Sequence, residues 1–409
     1  MRRLVSILIF SLSVFVASAQ NNTNSPYSAF GIGELGYTGT GRNMGLGESG
    51  IALRSGIFLN STNPASLTAI PQQSLATDLG VNFKYTNLKN QYKSANVLNG
   101  NISWATLAFP INRTLSASVS LNPKSSVGYT IYTTKSLEGT NASYPVTYKG
   151  DGGLSEASLS LAALITKKLS LGVTGSFLWG SMIKNSVETP PFGSAITRID
   201  QLHYSGIYLK SGFQYQSKLS TNTVFTIGGI AEYSGYLDGT SDLTISSGST
   251  AIVDLKAQQS QIQLPFKAGA GMALEFKSKY LVTFDYNRSD WKNADMGSMT
   301  TKLDVNNSYH LGFEFAPKYD AQKTWQTARY RIGALYQTGY LNIYGTQISS
   351  YAATCGMTIP IKRDRNSVNI AFEAGRQGTL SDQLIRETYV KLNLSFTLWE
   401  RWFMPRKFD

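Results

Sequence analysis

Residues 390–398 read VKLNLSFTL, and apolar and polar side chains alternate without a break along this stretch. Successive side chains of a β-strand point to opposite faces, so a period of two predicts a strand with one apolar face and one polar face. The apolar face carries Val390, Leu392, Leu394, Phe396 and Leu398, and the polar face carries Lys391, Asn393, Ser395 and Thr397. Such a strand fits either a sandwich, with the apolar face inside, or a membrane barrel, with that face towards lipid.

The same alternation recurs along the chain in segments of about ten residues, the length typical of membrane-spanning strands. We count fourteen such segments from about Ser74 onward. No stretch beyond the N-terminus approaches the ~18 uninterrupted apolar residues of a spanning helix. The segments are 79–85, 101–110, 114–125, 154–165, 169–179, 204–215, 223–233, 262–276, 280–286, 309–315, 330–336, 348–360, 368–372 and 390–398.

The links between these segments favour the barrel. Short links, such as 166–168 and 277–279, alternate with long polar links, such as 134–150 and 181–197. Outer-membrane barrels have short periplasmic turns and long external loops, so this alternation is expected of them. We therefore predict an all-β chain that forms a 14-stranded antiparallel transmembrane β-barrel over residues 73–399.

The N-terminus of the chain indicates export. Arg2 and Arg3 precede an apolar run and the triplet Ala17-Ser18-Ala19, which is the order of parts in a cleavable signal peptide spanning residues 1–19. The alternative is an anchor helix, but the apolar run is shorter than the ~20 residues that a spanning helix needs. At the other end, residues 400–409 are predicted to form a basic periplasmic tail. The chain is thus expected in the cell outer membrane.

Composition limits the choice of partners. Only 15% of the residues are charged, which is fewer than soluble domains usually carry, and the formal net charge is +12. The basic residues are scattered along the chain, so the excess favours contact with outer-membrane lipid and lipopolysaccharide over nucleic acid.

About fifty residues, 20–72, separate the predicted cleavage site from the first strand and show no alternation. A barrel of fourteen strands is too wide for its own side chains to fill, so it needs a plug. This segment is the candidate plug, because Met44, Leu46, Ile51 and Phe58 give it apolar surface to bury.

The segment also carries a resemblance. The runs Asn43-Met44-Gly45-Leu46-Gly47 and Asn63-Pro64-Ala65-Ser66 resemble the hatch of the FadL family of outer-membrane hydrophobic-compound transporters (the OMPP1/FadL/TodX type), in which an Asn-Pro-Ala element ends the plug. Within this family, the chain looks most like the branch found in Bacteroidota, on the runs Ser25-Pro26-Tyr27 and Arg401-Trp402-Phe403. The resemblance implies a hatch motif at Asn63, Pro64 and Ala65 and an exit for solute through the wall.

Catalytic patterns are scarce. The chain has two histidines and one cysteine, so no paired-His or multi-thiolate metal site is predicted, and we expect no cofactor and no enzymatic activity. The polar faces instead place charged residues in the predicted lumen. Arg329 and Arg331 are candidates for a carboxylate headgroup, because guanidinium groups bind carboxylates in a two-pronged manner. The alternative is that these charges fasten the plug. The full set of ligand or hatch-contact candidates is Phe58, Arg329, Arg331, Glu314, His310, Glu373 and Lys391.

These sequence features support two hypotheses about function. The leading hypothesis is passive uptake of a hydrophobic small molecule, fatty-acid-like or aromatic, past a mobile hatch, with a lateral exit through the wall as one route. The alternative is a non-transporting scaffold subunit of an outer-membrane barrel-assembly or protein-export complex, with other envelope proteins as partners. Co-purification of envelope proteins would distinguish the two.

Overall fold

The computed structural model describes residues 23–37, 39–297, 302–317, 324–361 and 366–402. The predicted signal peptide at 1–19 and residues 403–409 of the predicted tail lie outside these ranges. In the described part, no helix has the length and apolar character needed to cross a membrane.

Fourteen antiparallel strands close into a barrel, as predicted. The barrel strands are β2 (Ser74–Lys89), β3 (Ser94–Pro110), β4 (Leu115–Ser136), β5 (Ser143–Leu164), β6 (Leu169–Glu188), β7 (Ile196–Ser220), β8 (Thr223–Ser234), β11 (Lys267–Phe276), β12 (Tyr280–Asp290), β13 (Val305–Phe315), β14 (Arg329–Gln337), β17 (Ser350–Pro360), β18 (Ser367–Gln377) and β19 (Arg386–Arg401). Each pairs with the next in this order, and β8 pairs directly with β11. β19 closes the wall against β2, from Arg386↔Lys89 to Arg401↔Ser74.

The remaining elements are short or lie in the loops. The other strands are β1 (Glu34–Leu35), β9 (Tyr236–Ser247), β10 (Thr250–Gln263), β15 (Asn342–Ile343) and β16 (Thr346–Gln347). The hairpin of β9 and β10 extends the wall beyond β7 on the side of the long loops. Single turns of helix occupy Pro26–Ala29, Gly41–Met44, Pro64–Ala69, Trp291–Asn293, Thr324–Thr327 and Ser381–Gln383.

The two faces of the wall have the polarity expected of a barrel in lipid. On β19, Val390 and Leu398 point outward and are 50% and 43% exposed, whereas Ser395 and Thr397 point inward and are at most 1% exposed. A water-soluble sandwich would bury the apolar face instead. The lone Cys355 is also exposed on the outer face.

Several strands are longer than predicted. β4, β5, β6 and β7 contain 20 to 25 residues each, so much of the predicted links 134–150 and 181–197 is strand. The extra residues of these strands lie beyond the apolar band, where the strands are held by backbone hydrogen bonds to their neighbours. They do not have to present an apolar face to lipid, so no alternation of apolar and polar residues marks them as strand. β19 likewise runs to Arg401, two residues past the predicted end of the barrel.

The predicted segment 262–276 is two pieces. Ile262 and Leu264 are buried rather than lipid-facing, and β11 begins only at Lys267. Pro265 lies between the pieces and has no N–H to donate to a ladder, which accounts for the interruption.

Three tryptophans face the interior, and one of them interrupts the alternation predicted for 101–110. Trp104, Trp291 and Trp399 are buried, and the indole N–H of Trp104 donates to Asp78. A bulge in the β2–β3 ladder beside Gly80 and Val81 lets Ser103 and Trp104 both point inward. The indole N–H finds an acceptor in the lumen that hydrocarbon would not supply.

The end of the barrel that carries the long loops is filled by apolar side chains. A buried cluster joins Tyr27 and Ile32 from the N-terminus to Leu178 and Met182 on β6 and to Tyr340 from the loop after β14. The rings of Tyr340 and Trp291 pack with centroids 4.5 Å apart. The long loops therefore close over this end of the barrel with a packed core of their own.

Candidate functional site: the N-terminal segment and the lumen

Residues 23–72, which we call the N-terminal segment, contact inward-facing groups around the wall. Hydrogen bonds and ion pairs join the segment to β2, β4, β6, β7, β8, β12, β13, β17 and β19. The segment thus lies inside the barrel and is held from many directions.

Its strongest attachment is an arginine cluster near the short-turn end of the barrel. Arg42 of the segment binds both oxygens of Glu314 on β13, at 2.9 and 3.0 Å. Arg331 and Arg329 of β14 bind the same carboxylate at 2.6 and 3.0 Å. The Phe58 ring lies 5.0 to 5.7 Å from all three guanidinium carbons. The predicted residues Phe58, Glu314, Arg329 and Arg331 are therefore brought together, and they contact the segment.

The turn after Gly47 is held through its backbone. Asp285 on β12 accepts hydrogen bonds from the amides of Gly50 and Ile51, at 2.6 and 2.8 Å. His310 lies within hydrogen-bonding distance of the Gly47 carbonyl, at 2.7 Å, and the Gly47 amide donates to Thr354 at 2.9 Å. The predicted residue His310 therefore contacts the segment, but it is not part of the arginine cluster around Glu314.

The predicted hatch motif connects two parts of the segment with the wall. The side-chain nitrogen of Asn63 donates to the Ile51 carbonyl at 2.8 Å and to the carbonyls of Phe213 and Gly229 at 3.0 and 3.4 Å. Its side-chain oxygen accepts from the Ala65 amide at 3.1 Å, which caps the helical turn that begins at Pro64. Asn63 thus ties the end of the segment to β7 and β8.

Inward-facing glycines let the segment approach the wall, a feature missed in the sequence. A Cβ on Gly228 or Gly312 would lie 2.5 Å from the Ile51 oxygen or 2.7 Å from the Leu46 oxygen. A Cβ at Gly172, Gly212 or Gly333 would also clash with the segment. The signal was present, because glycine weakens a strand interior and often marks a close backbone approach. These five glycines occupy inward positions in five of the predicted strands.

Two further ion-pair groups connect the segment with β2, β18 and β19. Glu34 pairs with Lys84 at 2.5 Å, and Lys391 lies 3.5 Å from Glu373 and 3.9 Å from Glu48. Burial, reinforced by Glu373, raises the pKa of Glu48 to about 7 although Lys391 opposes the shift. Burial also acts on Glu34, but the Lys84 ammonium outweighs it and holds the pKa of Glu34 below its ordinary value. The predicted residues Glu373 and Lys391 therefore belong to a separate group from the arginine cluster.

A cavity of about 390 Å³ lies between the segment and the wall. Charged side chains contribute much of its lining, including Glu34, Glu48, Lys84, Lys124, Lys267 and Lys391. Apolar side chains such as Ile32, Met44 and Leu264 line it as well, so ionic and apolar groups share the space in which a solute would have to bind. Among the described residues, no group of three or more His, Cys, Asp or Glu side chains is arranged to hold a metal ion.

The wall is incompletely paired between β3 and β4. Their ladder runs from Ala105↔Leu121 to Pro110↔Ser116, and the parts of β3 before Ala105 and of β4 after Leu121 do not pair with each other. The cavity lining includes Ile102 on β3 and Pro123 on β4, so the cavity extends to both sides of this gap.

The N-terminal segment occupies the edge of β4 that β3 leaves open. Glu34 and Leu35 of β1 pair with Ser126 and Ser125, and the Gly36 amide donates to the Lys124 carbonyl at 2.9 Å. Further along, Ser28 exchanges hydrogen bonds of 3.0 Å with the backbone of Gly128. The segment thereby supplies the backbone partners that a neighbouring strand would supply.

Comparison with solved structures shows the fold. The chain is 14% identical to the Ralstonia pickettii toluene transporter TbuX, with 90% of this chain and 99% of that one covered and a TM-score of 0.59. It is 15% identical to the Pseudomonas putida toluene transporter TodX (91% and 99% covered, TM-score 0.58). It is 12% identical to a Pseudomonas aeruginosa FadL homologue (91% and 100% covered, TM-score 0.60). The chain therefore has the barrel fold of these FadL-type and TodX-type proteins.

No curated protein matches the chain. A protein-family model described as BamG matches residues 1–409, the whole length of the chain. On that match, the chain belongs to the BamG family.

Proposed function

We propose that this chain is an outer-membrane barrel with a fixed internal hatch and that it serves as a scaffold subunit of a barrel-assembly complex. In this proposal residues 1–19 are a cleaved signal peptide, 20–72 the hatch and 73–399 the barrel, with a periplasmic tail after it. The outward apolar face supports the membrane location, because a closed barrel can satisfy its backbone groups in lipid. The BamG family match favours barrel assembly over protein export among the two scaffold roles.

The attachment of the segment is the observation that carries this proposal. The segment is bound to Glu314 by a two-pronged ion pair, to Asp285 through two backbone amides and to the carbonyls of β7 and β8 through Asn63. Moving it would leave Asp285 and Lys84, which face the interior, without the partners that the segment supplies, and an uncompensated buried charge costs roughly 3–5 kcal/mol. Such a hatch suits a permanently closed barrel better than a gate.

The lining of the cavity agrees with a closed barrel. A hydrocarbon placed beside Lys84, Glu34 and Lys391 would displace water from ionic groups without replacing its hydrogen bonds, which is unfavourable. The apolar cluster around Tyr340 also fills the external end, where a solute would enter.

Gentle affinity purification of the full-length protein from its own envelope tests the scaffold role. We expect envelope proteins to co-purify in fixed stoichiometry and depletion of this chain to lower the folded amount of other outer-membrane barrels. An unrelated barrel of similar abundance, tagged in the same way, is the control. Purification of this chain alone, with unchanged amounts of other barrels after depletion, would contradict the proposal.

A second candidate is uptake of a hydrophobic small molecule, which the gap between β3 and β4 favours. The cavity reaches Ile102 and Pro123 on opposite sides of the gap, so a solute inside would be close to an exit through the wall. The fold is also that of proteins described as toluene transporters.

Liposome entry of a monoaromatic hydrocarbon and of a long-chain fatty acid tests uptake. Cysteines at Ile102 and Pro123, in a Cys355→Ala background, can be joined by a bifunctional maleimide. Lateral exit predicts that the reconstituted chain speeds entry and that the cross-link stops it, whereas each single-cysteine variant stays active. Entry no faster than into protein-free liposomes would reject uptake.

A further inference from the structure

The short turns at one end of the barrel carry an arc of exposed cations. Four of these turns, taken with the strand residues that flank them, carry Arg113, Lys167, Lys168, Lys218, Lys277 and Lys279, and all six side chains are exposed. The resulting turn regions, 111–114, 165–168, 217–222 and 276–279, contain no Asp or Glu. Short turns mark the periplasmic side of a barrel, so the arc lies there.

The arc is continuous along the wall. The four turns join β3 to β4, β5 to β6, β7 to β8 and β11 to β12, and these eight strands are consecutive neighbours in the barrel. With adjacent strands roughly 4.8 Å apart, successive turns are on the order of 10 Å from one another. The cations therefore form one extended surface.

Each turn also exposes an apolar side chain beside its cations. Ile111, Ile165, Leu219 and Phe276 are 42% to 63% exposed. The Lys277 ammonium lies 5.1 Å from the centre of the Phe276 ring. At a membrane interface, an apolar side chain enters the acyl region while a neighbouring cation stays at the depth of the headgroups.

Three cations at the external end of the wall and its β9–β10 hairpin are arranged differently. Lys135 pairs with Glu188 at 3.4 Å, Arg198 with Asp200 at 3.9 Å and Lys256 with Asp254 at 3.0 Å. Within the described part of the chain, none of the six arc cations has such an ion pair. Nearby carboxylates thus neutralise these three external cations but none of the arc cations.

We propose that this arc binds the headgroups of anionic phospholipids in the periplasmic leaflet of the outer membrane. The partner follows from charge complementarity and from the apolar residue at each turn, which a lipid surface accommodates. The proposal requires the membrane-embedded barrel proposed above and is independent of the scaffold or uptake role. Lipid binding at the arc places anionic headgroups beside the eight strands from β3 to β12.

Native mass spectrometry of the full mature protein in mild detergent tests it, with phosphatidylglycerol and phosphatidylcholine supplied in equal amounts. We expect phosphatidylglycerol to be retained in at least about fivefold excess, since a single cation near an anionic surface changes affinity by about that factor. The variant Arg113→Gln/Lys168→Gln/Lys277→Gln/Lys279→Gln should bring the ratio close to one. The matched control Lys135→Gln/Lys149→Gln/Arg198→Gln/Lys256→Gln removes the same charge externally and should keep the excess.

Three results would overturn the proposal: equal retention of the two lipids by the unmodified protein, equal loss in the two quadruple variants, or retention of phosphatidylglycerol only when an acidic envelope protein co-purifies. The last would assign the arc to a protein partner. Substitutions on exposed turns leave barrel folding intact, which the altered gel mobility of the unheated protein verifies. Failure to enter vesicles of either lipid would instead reject the membrane location on which the proposed function depends.

Discussion

The guanidinium group of Arg42 and the carboxylate of Glu314 form two near-parallel hydrogen bonds of 2.9 and 3.0 Å across 272 residues of sequence. Arg329 and Arg331 share the same carboxylate, so one negative charge faces three positive charges in a buried place. This carboxylate therefore links the N-terminal segment to the wall.

Substitution Glu314→Gln should loosen the N-terminal segment, because three guanidinium groups lose their counter-charge. We expect a loss of roughly 3–5 kcal/mol in the stability of the docked segment. Trypsin cleavage within residues 23–72 of the folded barrel, followed over time, measures it. Glu275→Gln is the matched control, since Glu275 also lies on the barrel wall but has no ion pair among the described residues. Equal cleavage of both variants would contradict the role given to Glu314.

Substitution Asn63→Ala should release the end of the segment from β7 and β8. The change removes the donor to three carbonyls and leaves buried acceptors without this partner, at about 1–3 kcal/mol for each unsatisfied group. Hydrogen exchange of the amides between Gly50 and Ser66 should become faster. Asn112→Ala in an exposed turn also removes local hydrogen bonds and should leave those amides unchanged. Unaltered exchange in Asn63→Ala would show that the motif does not fasten the segment.

Substitution Gly333→Ala should displace the segment, because the added methyl group would collide with the backbone at Leu46 and Gly47. Gly175→Ala is a close control, since that position is also inside a strand and its Cβ would meet only Leu209, at 3.9 Å. We expect faster trypsin cleavage near Arg42 in the first variant and no change in the second. Identical cleavage rates in the two variants would mean that the added methyl group at Gly333 does not displace the segment.

The docked segment should become less stable as the pH rises from about 4.5 to 7, the interval between the ordinary and the raised pKa of Glu48. Burial raises the pKa of Glu48 from an ordinary value of 4.5 to about 7, so the docked state binds a proton that the unfolded chain has already released in this range. The stabilising contribution is complete below pH 4.5 and disappears as the pH passes 7. Glu34 does not offset this, because its lowered pKa keeps it ionised throughout the range.

Hydrogen exchange of the segment, corrected for the intrinsic pH dependence of amides, measures this effect in the intact barrel. Glu48→Gln should flatten the profile over this pH range, since the amide does not titrate. A profile in Glu48→Gln as steep as that of the unmodified protein would assign the dependence to another group.

Much of the wall could be predicted because membrane strands must show lipid an apolar face at every second residue. The alternation from Val390 to Leu398 shows this rule most clearly, and the fourteen strands of the barrel confirm that the rule extends along the rest of the wall. The prediction was wrong where the rule does not apply: above the apolar band in β4 to β7, and at Trp104, where a bulge shifts the alternation by one residue.

The candidate site was predictable only as a set of residue types. Arg331, Glu314 and Lys391 stand on inward faces, but nothing in their spacing indicates that Arg42 joins the first two or that Glu48 joins the third. The glycines of the wall left a signal, since Gly312 and Gly333 lie inside predicted strands, where glycine weakens the strand. Interpreting that signal requires knowing that Leu46 and Gly47 lie against them.

The sequence by itself determined the strand count, the antiparallel order and the outward face, because alternation and turn length are local properties that lipid enforces residue by residue. Only the tertiary structure decided where the N-terminal segment lies, which charges neutralise one another and where the wall is left unpaired. Those features depend on contacts between residues far apart in the chain, such as Arg42 with Glu314 and Leu35 with Ser125. No local period records such contacts, since closure of the barrel is what brings the partners together.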